Sequence, residues 1–238
     1  MARPLLPRVP QSDGEGPASR RSFLRSSLLA TAVAAPAVLA VTGWPGEARA
    51  DDKARGRGRG HGAGGNKREF ESIRRHENDH VDFLVGALGA AARPKPTFQN
   101  LKQKNFQDFV AIAQALENTG VGAYLGAAPV ILDRGFLAAA GSIALIEARH
   151  AGFLNVFRGD PITAPVGDRE ADPSFEEPLT AQEVRDLAGP FIANLNGGPP
   201  VDYSNTPSPA NDIDILNYAL ALEYLEAEFY NVNVPAFF

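Results

Sequence analysis

The chain of 238 residues contains no cysteine and only four histidines. The absence of cysteine excludes disulfide bonds, thiolate metal sites and cysteine nucleophiles. Any metal ion must therefore be bound by histidine, aspartate or glutamate.

Basic residues are scarce in the body of the chain. From Glu69 onward there are 11 of them against 23 acidic residues, which gives a charge of −12. The preceding segment, residues 51–68, is rich in glycine and arginine and has no apolar periodicity, so we expect a disordered linker. An acidic body with a short basic arm argues against nucleic acid as the main partner.

Long apolar runs are also few. The stretch "LLATAVAAPAVLAV" is short for a membrane span of about 20 residues, and it contains Pro36. The paired arginines Arg20 and Arg21 precede it, and "ARA" follows it before Asp51. This layout predicts a twin-arginine signal peptide over residues 1–50. We therefore expect export to the periplasm, the cell envelope or the medium, with no transmembrane span in the mature chain.

Apolar residues that recur every three or four positions predict an all-α body over residues 69–238. No segment indicates a convincing sheet. The predicted connection between the second and third helices is short, which implies antiparallel neighbours. The links 89–104 and 159–210 are long enough to join helices that point the same way. We thus predict a four-helix bundle with long crossover connections, its helices at about 67–88, 105–127, 134–158 and 212–232, with an accessory helix at about 180–193 that starts with a capping box.

An internal repeat runs through these helices. The segments "ENDHVDFL" (77–84) and "EARHAGFL" (147–154) share the pattern E-x-x-H-x-x-F-L. The segments "ALENTGVGAY" (115–124) and "ALEYLEAEFY" (221–230) share A-L-E, six residues and then Tyr. One E-x-x-H is a weak signal, but two that alternate with a second matched pair are rare by chance. The body is therefore predicted to contain two copies of one unit.

The repeat has a chemical meaning. Residues i and i+3 of a helix lie on one side, so a Glu and a His at this spacing can reach one ion. Helical periodicity directs four glutamates into the bundle interior, where unneutralised carboxylates would repel one another. Two divalent cations would balance four carboxylates, and two imidazoles would complete the ligand set. Carboxylate and imidazole suit iron or manganese, and zinc is not excluded. The predicted metal-binding residues are Glu77, His80, Glu117, Glu147, His150 and Glu223.

Residues 69–157 and 211–232 resemble the ferritin-like di-metal carboxylate superfamily. More narrowly, "ALENTGVGAYLGAAPVI" and "ILNYALALEYLEAEFY" are similar to exported ferritin-like proteins related to plant desiccation-associated proteins. In those proteins the A-L-E-x6-Y helix usually precedes the E-x-x-H helix, so the order here looks circularly permuted by one helix. An alternative is a truncated bundle in which a partner chain supplies or swaps a helix.

The resemblance implies roles for the individual residues. Glu77 and Glu147 would bridge two metal ions, His80 and His150 would be terminal imidazole ligands, and Glu117 and Glu223 would be terminal carboxylates. Glu226 competes with Glu223, which is preferred because a tyrosine follows it at the same spacing as after Glu117. Those tyrosines, Tyr124 and Tyr230, are either hydrogen-bond donors to the ligands or core rings.

Four further residues have weaker signals. His76 and His61 have no matched partners, so we expect His76 on a solvated helix face and His61 in the linker. Gly120 and Gly122 lie one turn from Glu117. They either leave room for a small molecule such as dioxygen or allow close helix packing.

Two functional classes remain open at this point. The first is a redox protein of the ferroxidase or peroxide-detoxifying type, in which two metal ions react with dioxygen or peroxide. The second is a non-catalytic stress or envelope protein whose metal site is structural, sequestering or vestigial. A weaker third is an adhesion or scaffold module recruited by the basic arm. The sequence leaves the oligomeric state open, and a homo-oligomer is compatible with it.

Overall fold

Helices account for most of the residues in the computed structural model, which describes residues 63–167 and 169–238. The predicted signal peptide and the linker as far as residue 62 lie outside the described residues. This architecture confirms the predicted all-α class. The helices are α1 (Ala63–Leu88), α2 (Phe106–Ala127), α3 (Arg134–Arg158), α4 (Ala181–Ala188) and α5 (Pro209–Phe237).

Side-chain caps fix where several helices begin. Asn105 accepts a hydrogen bond from the backbone N–H of Asp108 at the start of α2. Asp133 accepts from the backbone N–H groups of Gly135 and Phe136 at the start of α3. Gly159, which follows the last residue of α3, has the left-handed conformation with φ at 89°. Thr180 and Glu183 form the predicted capping box of α4. These local signals are readable in the sequence.

Three predicted boundaries were wrong. α1 already includes Ala63, the first described residue, rather than starting at Lys67, so the last residues assigned to the linker are helical. α4 gives way at Gly189 to a 3₁₀ turn and a short strand. α5 continues through Pro235 to Phe237, because the terminal phenylalanines pack against the rings of Phe70 and Phe106. A proline inside a helix removes one backbone hydrogen bond and its ring crowds the carbonyl of the preceding turn, and this packing offsets both effects.

Contacts at the helix ends establish the directions of the four long helices. Lys67 at the start of α1 donates to the carbonyl of Phe238 at 2.8 Å, so α1 and α5 are antiparallel. Gln114 in the N-terminal half of α2 donates to Asn155 near the C-terminal end of α3 at 2.9 Å, whereas Gly120 further along α2 borders Glu147 nearer the start of α3, so α2 and α3 are antiparallel. The rings of Phe70 and Phe109, near the N-terminal ends of α1 and α2, lie 5.2 Å apart. Each long link therefore joins two parallel helices, as a crossover connection requires.

The two crossovers are tied together by a small antiparallel ribbon that the sequence did not indicate. Its strands are β1 (Thr97–Phe98) and β2 (Ile192–Asn194). Each strand belongs to a different crossover, so no local turn signal announces their pairing.

Two apolar clusters form the core of the bundle. One cluster is rich in aromatic residues, including Phe70, Phe109 and Phe229. The other includes Leu84, Ile143 and Leu220. No helix in the described part of the chain is long and apolar enough to cross a membrane.

Candidate metal centre

Buried carboxylates occupy the middle of all four long helices. In α1, Glu77 lies between Phe70 of one apolar cluster and Leu84 of the other. The glutamates of the other three long helices are also flanked by core residues. Glu77, Glu117 and Glu147 are 0% exposed and Glu223 is 1% exposed. These four carboxylates are thus shielded from bulk solvent.

The six predicted residues form two overlapping groups. The first contains Glu77, His80, Glu147 and Glu223, and the second contains Glu77, Glu117, Glu147 and His150. Within each group, one nitrogen or oxygen atom from every residue lies within 4.8 Å of the others. Glu77 and Glu147 belong to both groups, which is the position expected of bridging carboxylates.

Interatomic distances within the groups suit cations. Nδ1 of His80 lies 3.2 Å from one oxygen each of Glu77, Glu147 and Glu223. Nδ1 of His150 lies 2.9 Å from Glu77 Oε1 and 3.1 Å from Glu117 Oε2. Atoms that bind one ion at about 2.1 Å are about 3.0–3.4 Å apart. Four of the five separations fall within this range, and the fifth, 2.9 Å between His150 and Glu77, is slightly shorter.

Several oxygen atoms in the cluster have no hydrogen-bond partner. They are Oε1 of Glu77 and both carboxylate oxygens of Glu147. The contact of Glu77 Oε1 with His150 Nδ1 is short but lacks hydrogen-bond geometry. Burying an unpaired carboxylate is strongly unfavourable. Cations would compensate these oxygens, so the residues present fit a pair of metal ions.

Both tyrosines of the repeat donate to carboxylates of the cluster. Tyr124 of α2 donates to Glu223 of α5, and Tyr230 of α5 donates to Glu117 of α2 at 2.6 Å. The two bonds are related by the pseudo-symmetry of the repeat. Of the two readings left open by the sequence, the structure therefore shows donors, and such bonds orient a ligand carboxylate.

Comparison with known proteins identifies the family. The model of the ferritin-like domain family matches residues 57–160 and 211–237, more than half of the chain. The chain belongs to the ferritin-like domain family. No curated protein and no solved structure matches it. The narrower relation to desiccation-associated proteins and the permuted helix order remain predictions.

Strong electrostatic coupling marks the centre of this ferritin-like bundle. Burial raises the pKa of Glu147 well above its usual value, and the neighbouring Glu77 raises it further. Burial by itself would lower the pKa of His150, but Glu117 and Glu77 outweigh it and raise the pKa to about 11. Burial likewise opposes the shift of His80, whose pKa is raised by Glu223 and Glu147. Without cations the cluster therefore retains protons, which metal binding would displace.

A fifth buried glutamate, Glu226, lies beside this cluster but is in neither group. Its counterpart in the other repeat is Gly120, since each follows the A-L-E glutamate by three residues. A Cβ on Gly120 would lie 3.0 Å from Glu147 Oε2 and 3.3 Å from Glu226 Oε1. The missing side chain thus leaves room for these two carboxylates. Burial and the charge of Glu147 raise the pKa of Glu226 well above its usual value.

Gly122 has a different role. A Cβ there would lie 2.6 Å from the Leu179 side chain, and the Leu179 N–H donates to the Gly122 carbonyl at 2.9 Å. Gly122 therefore allows the second crossover to pack closely on α2, the packing alternative that the sequence left open. Gly120, in contrast, borders the carboxylates.

The predicted position of His76 was wrong. It is half-buried rather than solvated, and its Nδ1 lies 2.9 Å from Nε2 of His150. Its position next to Glu77 is rotated by about 100° around the helix, away from the predicted interior. The one available signal was its spacing of four residues from His80, which places both on neighbouring turns. His61 lies outside the described residues.

Proposed function

We propose that this ferritin-like protein holds two iron or manganese ions in the bundle and that these ions react with dioxygen or peroxide. The observation that carries the proposal is the sharing of Glu77 and Glu147 between two buried ligand groups. Sharing of two carboxylates favours two neighbouring ions over two separate sites. Four carboxylates would balance two divalent ions, with His80 and His150 as neutral ligands.

The side chains of the chain have distinct tasks in this proposal. Glu77 and Glu147 would hold both ions, while the Tyr124 and Tyr230 hydroxyls orient the terminal carboxylates. The apolar clusters on both sides of the polar layer keep bulk water out. When bound, two Fe(II) ions would supply one electron each. These two electrons, together with two protons, are enough to reduce one dioxygen molecule to hydrogen peroxide or one hydrogen peroxide molecule to two water molecules. Burial raises the pKa of both tyrosines well above the usual value, so they remain hydrogen-bond donors at neutral pH.

Metal analysis of protein exported by its own host is the primary test. We expect about two iron or manganese ions per chain. The double variant Glu147→Ala, His150→Ala should lose them, because it removes ligands from both groups. Glu71→Ala, which alters a partly exposed glutamate of α1, is the matched control and should keep both ions. Unchanged metal content in the double variant would refute the proposal.

Reactivity is tested separately from binding. Protein loaded anaerobically with Fe(II) is mixed with dioxygen or with hydrogen peroxide, and oxidant consumption and Fe(III) formation are followed. Faster oxidation than in buffer indicates a redox protein. If metal is bound but oxidation does not exceed that in buffer, the site is structural or sequestering, which is the function expected of a non-catalytic stress or envelope protein.

We also propose export by the twin-arginine pathway. The proposal rests on Arg20 and Arg21 and the apolar stretch that follows them. Replacing both arginines by lysine should keep the full-length protein inside the cell, whereas the native sequence gives processed protein outside the cytoplasm. Immunoblots of fractionated cells measure both. Unimpaired export of the lysine variant would show that another route is used.

A further inference from the structure

One of the two imidazoles in the centre has a hydrogen-bond partner outside the ligand groups. Nδ1 of His76 lies 2.9 Å from Nε2 of His150. The two rings are nearly parallel, with an interplanar angle of 7° and centroids 5.2 Å apart. His150 thus uses one nitrogen toward the carboxylates and the other toward His76.

The chemistry of metal binding fixes the direction of this hydrogen bond. A nitrogen that binds a metal ion carries no proton, so Nδ1 of a ligating His150 leaves its proton on Nε2. That N–H then donates to Nδ1 of His76, which sets both the tautomer and the rotation of the His150 ring. Nε2 of His76 then carries a hydrogen itself. Arg75, whose Nη2 lies 3.3 Å from it, is exposed and can turn into solvent.

The other imidazole has no equivalent support. His80 and His150 occupy the same position of the repeat, so the counterpart of His76 is Ile146. Isoleucine cannot accept a hydrogen bond. The contacts of His80 within the described residues are made through Nδ1, and none of those residues forms a hydrogen bond with its Nε2. The two ligand groups are therefore alike in ligands and unlike in what holds their imidazoles.

We propose that His76 is a positioning residue that orients His150 and makes one of the two metal ions bind more tightly than the other. The tighter ion is the one held by Glu77, Glu117, Glu147 and His150. The inference rests on the proposed metal function. It goes beyond that function by predicting that ions in two nearly symmetric positions differ in affinity.

Stepwise metal affinity is the first test. The mature protein, without the predicted signal peptide, is titrated anaerobically with Mn(II). The concentration of free ion is measured by its EPR signal. In His76→Ala, one of the two stepwise dissociation constants should rise about 10- to 100-fold, as expected when the partner of a ligating histidine is lost. The other constant should change little. His76→Gln, whose amide oxygen can accept the same bond, should restore most of the affinity.

The repeat supplies a matched control in Ile146→Ala, which truncates the side chain at the equivalent position and should leave both constants unchanged. Ring NMR of Zn(II)-loaded protein gives a second readout. The Nε2–H signal of His150 should exchange slowly with solvent in the native protein and in His76→Gln, but rapidly in His76→Ala. The signals of His80 should be unaffected.

Several outcomes would overturn the inference. Equal weakening of both steps in His76→Ala would indicate a general structural role, and so would the same effect from Ile146→Ala. Unchanged constants would show that His76 does not support the ligand. A native protein that binds fewer than two ions would instead contradict the proposed function itself, so the two failures are distinguishable.

Discussion

Replacement of Glu147 by glutamine should affect the metal-free and the metal-loaded protein in opposite directions. Glu147 is fully buried, both of its oxygens lack hydrogen-bond partners, and it belongs to both ligand groups. Glutamine has nearly the same shape but no charge. Its amide can donate to a neighbouring carboxylate at any pH, whereas Glu147, whose pKa is raised by burial and by Glu77, must first take up a proton to do so.

The size of the effect in the metal-free protein follows from the unpaired oxygens. A buried polar group without a partner costs about 1–3 kcal/mol. We therefore expect Glu147→Gln to increase the free energy of unfolding of the metal-free protein by about 1–3 kcal/mol. For a chain of this size, each kcal/mol corresponds to about 2–4 °C in Tm.

Metal binding should make the native protein more stable than Glu147→Gln, which reverses their order in the metal-free state. At a free ion concentration one hundred times Kd, each bound ion stabilises the native protein by about 2.7 kcal/mol, so two ions contribute about 5 kcal/mol. Glu147→Gln removes a ligand shared by both ions and should raise each Kd about 100-fold, which lowers this stabilisation to below about 1 kcal/mol. The variant should thus be the more stable protein in EDTA and the less stable one in Mn(II).

Urea unfolding followed by far-UV circular dichroism measures the free energy of unfolding of the native protein and of the variant, each with EDTA and with Mn(II). Glu71→Gln is the control, because a partly exposed ion pair contributes at most about 1 kcal/mol. If the variant is less stable than the native protein in EDTA, the unpaired oxygens of Glu147 do not destabilise the metal-free protein, and the reasoning is refuted. If Mn(II) stabilises the variant as much as the native protein, Glu147 is not a shared ligand.

Two further predictions test the ligand set and the crossover. Glu223→Gln should lose one of the two ions by metal analysis, whereas Glu226→Gln should keep both, and the opposite result would assign the ligand to Glu226. Gly126→Ala should lower the free energy of unfolding by about 1–3 kcal/mol, because its Cβ would lie 2.0 Å from the Leu179 carbonyl oxygen. Gly141→Ala, with nothing within 4 Å of its Cβ, should instead raise the unfolding free energy by about 0.5–1 kcal/mol. Equal effects of the two glycine substitutions in urea unfolding would argue against the close approach of Leu179.

Much of the fold was predictable because its signals are local. The capping residues Asn105, Asp133 and Thr180 mark helix starts through their own side chains. Pro235 shows the limit of such signals, since a proline usually ends a helix. Here the rings of the last two residues pack on the aromatic cluster, and that distant contact keeps the final turn helical.

Helical periodicity also explains how far the candidate site was predictable. The angle between Glu77 and His80 around one helix is set by the chain itself, so the sequence could direct both into the interior. His76 could not be placed in this way, because its partner His150 is 74 residues away. Its environment depends on how α1 is rotated against α3.

The sequence by itself determined which carboxylates and imidazoles share the inner face of each helix, because the spacing of residues fixes their direction. Tertiary structure alone decided which atoms from distant segments meet: Tyr124 with Glu223, His76 with His150, and Leu179 with two glycines of α2, Gly122 and Gly126. Such contacts depend on helix rotation, on the distance between helices and on the path of the crossovers. These are properties of the packed bundle that no single segment encodes.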